Sequence, residues 1–188
     1  MNWQAIIRLY KGKHYRSHES EMACFTRQPT LRAAIEYAAT STRDTDGKRF
    51  SHKRRAPRAA LQLAKRELIQ HESKIAACHT FEELMELIKG AVSSIYGLGE
   101  LYIYDTALRI GSKLGIQPNR VYLHRGTRDG AKRLGYSVNR PYIEMHELPS
   151  ALKALSAAEV EDILCIFKDH LGSAQPAHPA DTNKISCR

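Results

Sequence analysis

The chain has 188 residues and a mass of 21.3 kDa, enough for one domain with a real core or for two small lobes sharing a cleft. Its 29 lysines and arginines against 20 acids leave a net charge of +9 before any of nine histidines titrates, an excess that points to a polyanionic partner. With 43 % apolar and 26 % charged residues, the composition is that of a globular protein, and no apolar run approaches the roughly eighteen residues of a membrane span.

The opening residues Met1-Asn2-Trp3-Gln4 lack the charged, apolar, small-residue order of a secretion signal, so a cytoplasmic location is expected. Residues 1–28 leave strand and helix both open: Trp3, Ile6, Ile7 and Leu9 run into the basic stretch Lys11 to Arg16. From Pro29, the spacing of Leu31, Ala34, Ile35 and Ala38 predicts a helix ending near Ser41-Thr42. Arg43 to Arg58 then carries seven lysines and arginines against Asp44 and Asp46, a net +5. Such a run reads equally as a solvated loop or as a phosphate-binding segment, the latter through His52, Lys53, Arg54 and Arg55.

Pro57 opens a predicted long helix through Leu61, Ala64, Leu68 and Ile75. Thr80-Phe81-Glu82-Glu83 has capping-box spacing ahead of Leu84, Leu87 and Ile88, and Ser156-Ala157-Ala158-Glu159 repeats it ahead of Val160, Ile163, Leu164 and Phe167. Strand-like runs are few, so an all-α or nearly all-α fold is expected, as a single helical domain over 1–172 with a flexible tail over 173–188. Cys24, Cys78, Cys165 and Cys187 lie far apart, with no C-x-x-C pair and no Cys/His group of zinc spacing. The expectation is therefore of reduced thiols, no metal and no cofactor.

The most informative stretch is Ile95-Tyr96-Gly97-Leu98-Gly99-Glu100-Leu101, where one helix ends, a G-x-G turn follows and a second helix begins. A tight turn of this kind leaves backbone N–H groups at a helix N-terminus, where a DNA phosphate can bind through main-chain contacts. A helix-to-helix connection that merely needs glycine is the plainer alternative. No predicted strand precedes the glycines, which argues against a dinucleotide phosphate loop.

The pattern apolar-x-Gly-apolar-Gly followed by a helix resembles the helix-hairpin-helix motif, here at about 84–115. The continuation Pro118 to Gly135, a loop entering a short helix that ends in Arg133-Leu134-Gly135, extends the likeness to the helix-hairpin-helix DNA glycosylases over roughly 80–135. His52-Lys53-Arg54-Arg55, Tyr104-Asp105-Thr106-Ala107 and Val121-Tyr122-Leu123-His124 resemble stretches of bacterial proteins with the 8-oxoguanine glycosylase fold, a kind of which some members serve antiphage defence. The resemblance implies a helical bundle with a cleft between two lobes. It also implies a cytoplasmic monomer that binds double-stranded DNA, flips out one nucleotide and releases a modified base, for example a hypermodified base of phage DNA.

Two positions depart from that family. Leu101 stands where bifunctional members keep their Schiff-base lysine, and His124 stands where the family places its catalytic aspartate. A replacement carboxylate is Asp105, four residues after Leu101 and so on the same helical face, with His124 as its expected partner across the cleft. The competing reading makes Asp105 one half of a surface ion pair with Arg109, and His124 an ordinary hydrogen-bonded loop histidine. The resemblance further implies DNA contacts from Gly97, Leu98, Gly99, Glu100, Arg125 and Thr127, while Tyr102 and Tyr104 either stack on a base or pack in the core. A non-catalytic DNA-binding protein using the same hairpin is the main competing function. A helical interaction protein with an incidental turn is the third.

Overall fold

The structure is a computed structural model that describes residues 2–40 and 56–172. It is mostly helical, with a single two-stranded sheet among the described residues. The chain divides into two compact units: a terminal unit of Met1–Glu19 with Pro118–Arg188, and a central unit of Ser20–Gln117.

The undecided N-terminal stretch is helical. Helix α1 (Trp3–Tyr10) is capped by Asn2, whose side-chain oxygen accepts from the Ala5 amide at 3.1 Å, and it buries Ile6 and Tyr10. A π-helical turn (Lys11–Tyr15) follows, then α2 (Arg16–Thr26), inside which the unit boundary falls. The wider turn resets the phase of the helical faces, which is why a plain 3.6-residue period is hard to read over residues 1–28.

The central unit continues with α3 (Leu31–Thr40), α4 (Arg58–Gln70), α5 (Glu72–Ala76), α6 (Phe81–Val92) and α7 (Glu100–Leu114). Helix α3 runs to Thr40, and its expected end near Ser41-Thr42 lies outside the described residues, whereas the long helix expected from Pro57 to Ile75 is broken at His71. The α6 capping box forms as its spacing predicts: Thr80 Oγ1 accepts from the Glu83 amide at 3.2 Å, and Glu83 accepts from the Thr80 amide at 3.1 Å. The amides of His79, at 2.8 Å, and of Thr80 both donate to the exposed Glu83 carboxyl and hold it below the usual range. The buried side chains of this unit include Phe25, Ile35, Leu68, Leu84, Ile88 and Ile110.

The terminal unit adds β1 (Arg120–Tyr122), α8 (Arg125–Arg133), β2 (Tyr142–Glu144) and α9 (Ala157–Ile166). The loop expected after Pro118 is therefore partly a strand, paired antiparallel so that Val121 faces Ile143, both fully buried. Helix α8 ends as expected in Arg-Leu-Gly, with Gly135 left-handed at φ 84°. Helix α9 carries the second capping box, Glu159 accepting from the Ser156 amide at 2.8 Å. Its apolar face joins Ile6, Tyr10, Val121 and Ile143 in one core. No helix among the described residues is long and apolar enough to cross a membrane.

Candidate functional site

The α6–α7 connection is built by two glycines that do different work. Gly97 adopts φ +90°, and a Cβ placed there would stand 2.9 Å from Pro57 Cδ, so both conformation and space demand glycine. Leu98 tucks inward, 8 % exposed, and pins the turn to the unit. Gly99 is the N-cap of α7 with φ −108°, a conformation open to any residue. A Cβ at Gly99 would meet no described atom within 4 Å. Its glycine leaves the backbone uncovered at the helix N-terminus, where N–H groups and the helix dipole favour an anion. Glu100, the first residue of α7, is exposed; its amide suits a phosphate, but its carboxylate opposes one.

Beside the turn, Tyr96 is 93 % exposed, a position that sequence reasoning passed over. The tyrosines expected to stack on a base are instead core residues. Tyr102 donates its hydroxyl to the Ala39 carbonyl at 2.9 Å, and burial pushes its pKa well up. Tyr104 is 2 % exposed and packs edge-on against Phe81, centroids 5.9 Å apart. Both are buried, on different faces of α7, so the packing alternative holds, and beside the turn it is Tyr96 whose ring faces solvent.

Asp105 lies on α7 with its side chain 13 % exposed and its carboxylate 3.8 Å from Arg109. The i, i+4 pair forms, but not at the surface: Arg109 is 3 % exposed and also donates from Nε to Glu21 Oε1 at 2.7 Å. A buried guanidinium needs such carboxylates. Glu21 lies too far from Arg109 in sequence for spacing to reveal the pairing.

His124 belongs to the terminal unit, Asp105 to the central one, and each has a partner within its own unit. His124 is the N-cap of α8, 2 % exposed, with Nε2 in direct contact with Glu161 Oε1 of α9. Thr127 is fully buried; its hydroxyl accepts from the His124 amide at 3.3 Å and reaches Glu161 at 3.4 Å. Thr127 is therefore part of an internal polar cluster and not a DNA contact, because a side chain without solvent exposure offers a phosphate nothing. Arg125, at the first position of α8, is exposed as a DNA contact requires. His52, Lys53, Arg54 and Arg55 lie outside the described residues.

Cys165 completes the cluster. The ligand atoms of His124, Glu161 and Cys165 lie within 4.8 Å of one another, and all three residues are buried. A readable signal existed in α9: Glu161 sits on the same helical stripe as Ala157, Leu164 and Cys165, a charge where the period calls for an apolar side chain. No protein-family model, curated protein or solved structure matches the chain.

Proposed function

We propose that this protein is a DNA-binding enzyme of the glycosylase type, which grips the duplex backbone at the α6–α7 turn and releases a modified base to leave an abasic site. The observation that carries the reading is the turn itself: left-handed Gly97, inward Leu98, uncovered Gly99 and exposed Tyr96 in immediate succession. The first and second shape the backbone, the third lets a phosphate approach the α7 amides, and the fourth offers a ring to a base or sugar. The net charge of +9 supplies the long-range attraction.

Cleaving a glycosidic bond places positive charge on the sugar, and a fixed carboxylate beside it lowers the barrier. Asp105 is the residue we assign to this role. It lies six residues beyond Gly99 on the same helix, about 9 Å along the axis at 1.5 Å per residue, and Arg109 orients it. Leu101 offers no amine, so the reaction is base hydrolysis without strand cleavage. The bond to the base breaks with its electron pair leaving on the base, water adds its oxygen to the sugar carbon, and the proton that the water loses ends on the departed base.

The test is incubation with normal, damaged and hypermodified duplexes, with mass spectrometry for free base. Asp105→Asn is expected to slow single-turnover release by about 100–1,000-fold while leaving DNA affinity unchanged. Near-normal release by that variant would move the carboxylate elsewhere. The non-catalytic reading draws on one specific observation, the low exposure of Asp105 and its engagement with Arg109. DNA binding without base release from any duplex would establish it.

A further inference from the structure

The buried cluster on α8 and α9 is independent of the hairpin, and nothing in the DNA-binding reading uses it. Helix α8 approaches α9 unusually closely because it carries glycine at two facing positions. A Cβ on Gly130 would stand 2.2 Å from the Leu164 carbonyl oxygen, and one on Gly126 would stand 2.6 Å from Cys165 Sγ. Neither glycine has positive φ, so their purpose is space. The closeness brings the α8 N-cap, His124, onto two residues four apart on one face of α9, Glu161 and Cys165.

We infer that His124, Glu161 and Cys165 are the protein ligands of one zinc ion that pins α8 to α9. The donor set is one imidazole nitrogen, one carboxylate oxygen and one thiolate sulfur, a borderline mixture that suits zinc and is too soft for magnesium or calcium. With bonds of about 2.0–2.3 Å to a tetrahedral ion, ligand atoms sit about 3.3–3.8 Å apart. The three donors lie within 4.8 Å of one another, and the contacting His124 and Glu161 must part by about 1 Å to admit the ion. Binding releases the thiol proton to solvent, the proton held between His124 Nε2 and Glu161 Oε1 leaves that contact for solvent or Nδ1 so that both atoms can ligate, and a water completes the fourth position. Seclusion of all three residues, 2 %, 5 % and 4 % exposed in chain order, marks the ion as a structural pin.

The experiment uses the full chain stripped with a chelator and titrated with zinc or cobalt. One zinc per chain is expected, with a rise in unfolding temperature, and cobalt should give the near-ultraviolet band of a thiolate–metal bond. Cys165→Ser, nearly isosteric, should abolish that band and weaken zinc binding by at least about 100-fold. A control lacking Cys24, Cys78 and Cys187 should keep both. X-ray absorption at the zinc edge of the unaltered protein should show one sulfur neighbour, a readout independent of whether any variant folds. A cobalt band that survives Cys165→Ser, zinc without a sulfur neighbour, or no zinc-dependent stabilisation would overturn the assignment. None of these outcomes bears on DNA binding, so this inference and the proposed function fail separately.

Discussion

Two pairs of glycines organise the two units, and they do so by opposite physics. In the central unit, Gly97 and Gly99 shape and expose backbone: one adopts φ +90° to turn the chain, the other leaves a helix N-terminus uncovered. In the terminal unit, Gly126 and Gly130 delete side chains so that α8 can lie against α9, with no positive φ and both residues buried. Glycine at a turn announces itself in sequence, because the flanking helices stop and start there. Glycine on a packed face does not, because its meaning lies in the element it touches.

The largest effect should come from the packing pair. In Gly130→Ala the new methyl meets a main-chain oxygen, which cannot rotate away as a side chain can, so α8 and α9 must separate. We expect a loss of roughly 3 kcal/mol in urea unfolding. Gly90→Ala is the contrasting control, since that exposed site on α6 has no described atom within 4 Å of a Cβ; it should gain about 1 kcal/mol from helix propensity. Equal stability of the two variants would break the distinction.

The turn pair should separate stability from binding. Gly97→Ala forces a left-handed alanine against Pro57 and should cost about 1–2 kcal/mol of stability from the backbone conformation alone. Gly99→Ala has room, so its stability cost should stay at or below about 1 kcal/mol. Its methyl would stand over the α7 amides and weaken binding to all DNA sequences alike, because main-chain phosphate contacts carry no base information. Full affinity of Gly99→Ala across a salt series would remove the hairpin as the phosphate site.

A smaller effect, readable through pH, sharpens the role of α9. Burial, the largest influence on the Glu159 carboxyl, raises its pKa, but the Lys11 ammonium and the Ser156 amide together bring it below the ordinary value. A carboxyl lowered on folding stabilises the native state above its unfolded value, about 4.3, and that contribution disappears as pH falls through the lowered folded value. Glu159→Gln should therefore be about 1 kcal/mol less stable than the unaltered protein near neutrality. The gap should close in acid, below the usual glutamate range. A gap that persists undiminished at low pH would assign the loss to packing and not to charge.

The same contrast explains what could be read in advance. The α6 and α9 capping boxes, the α6–α7 turn and the Arg-Leu-Gly end of α8 were all legible, because each depends on residues within a few positions of one another. The π-helical turn after Tyr10 hid the N-terminal helix by shifting its period. The break at His71 was missed because the apolar spacing runs through it. Tyr102 and Tyr104 show the limit most clearly. A tyrosine's place on α7 followed from sequence, but whether its ring meets Ala39, Phe81 or solvent depended on what lay across from it.

By itself the sequence determined that this chain is helical and basic, where most of its helices begin, and that a glycine turn joins α6 to α7; these are consequences of short-range hydrogen bonding, periodicity and charge. Only the tertiary structure decided that Arg109 is a buried cation shared by Asp105 and Glu21, that Thr127 is internal, and that His124, Glu161 and Cys165 converge. His124 and Glu161 stand 37 positions apart. No local pattern reports such a meeting, because it exists only once two glycines have let one helix come to rest against another.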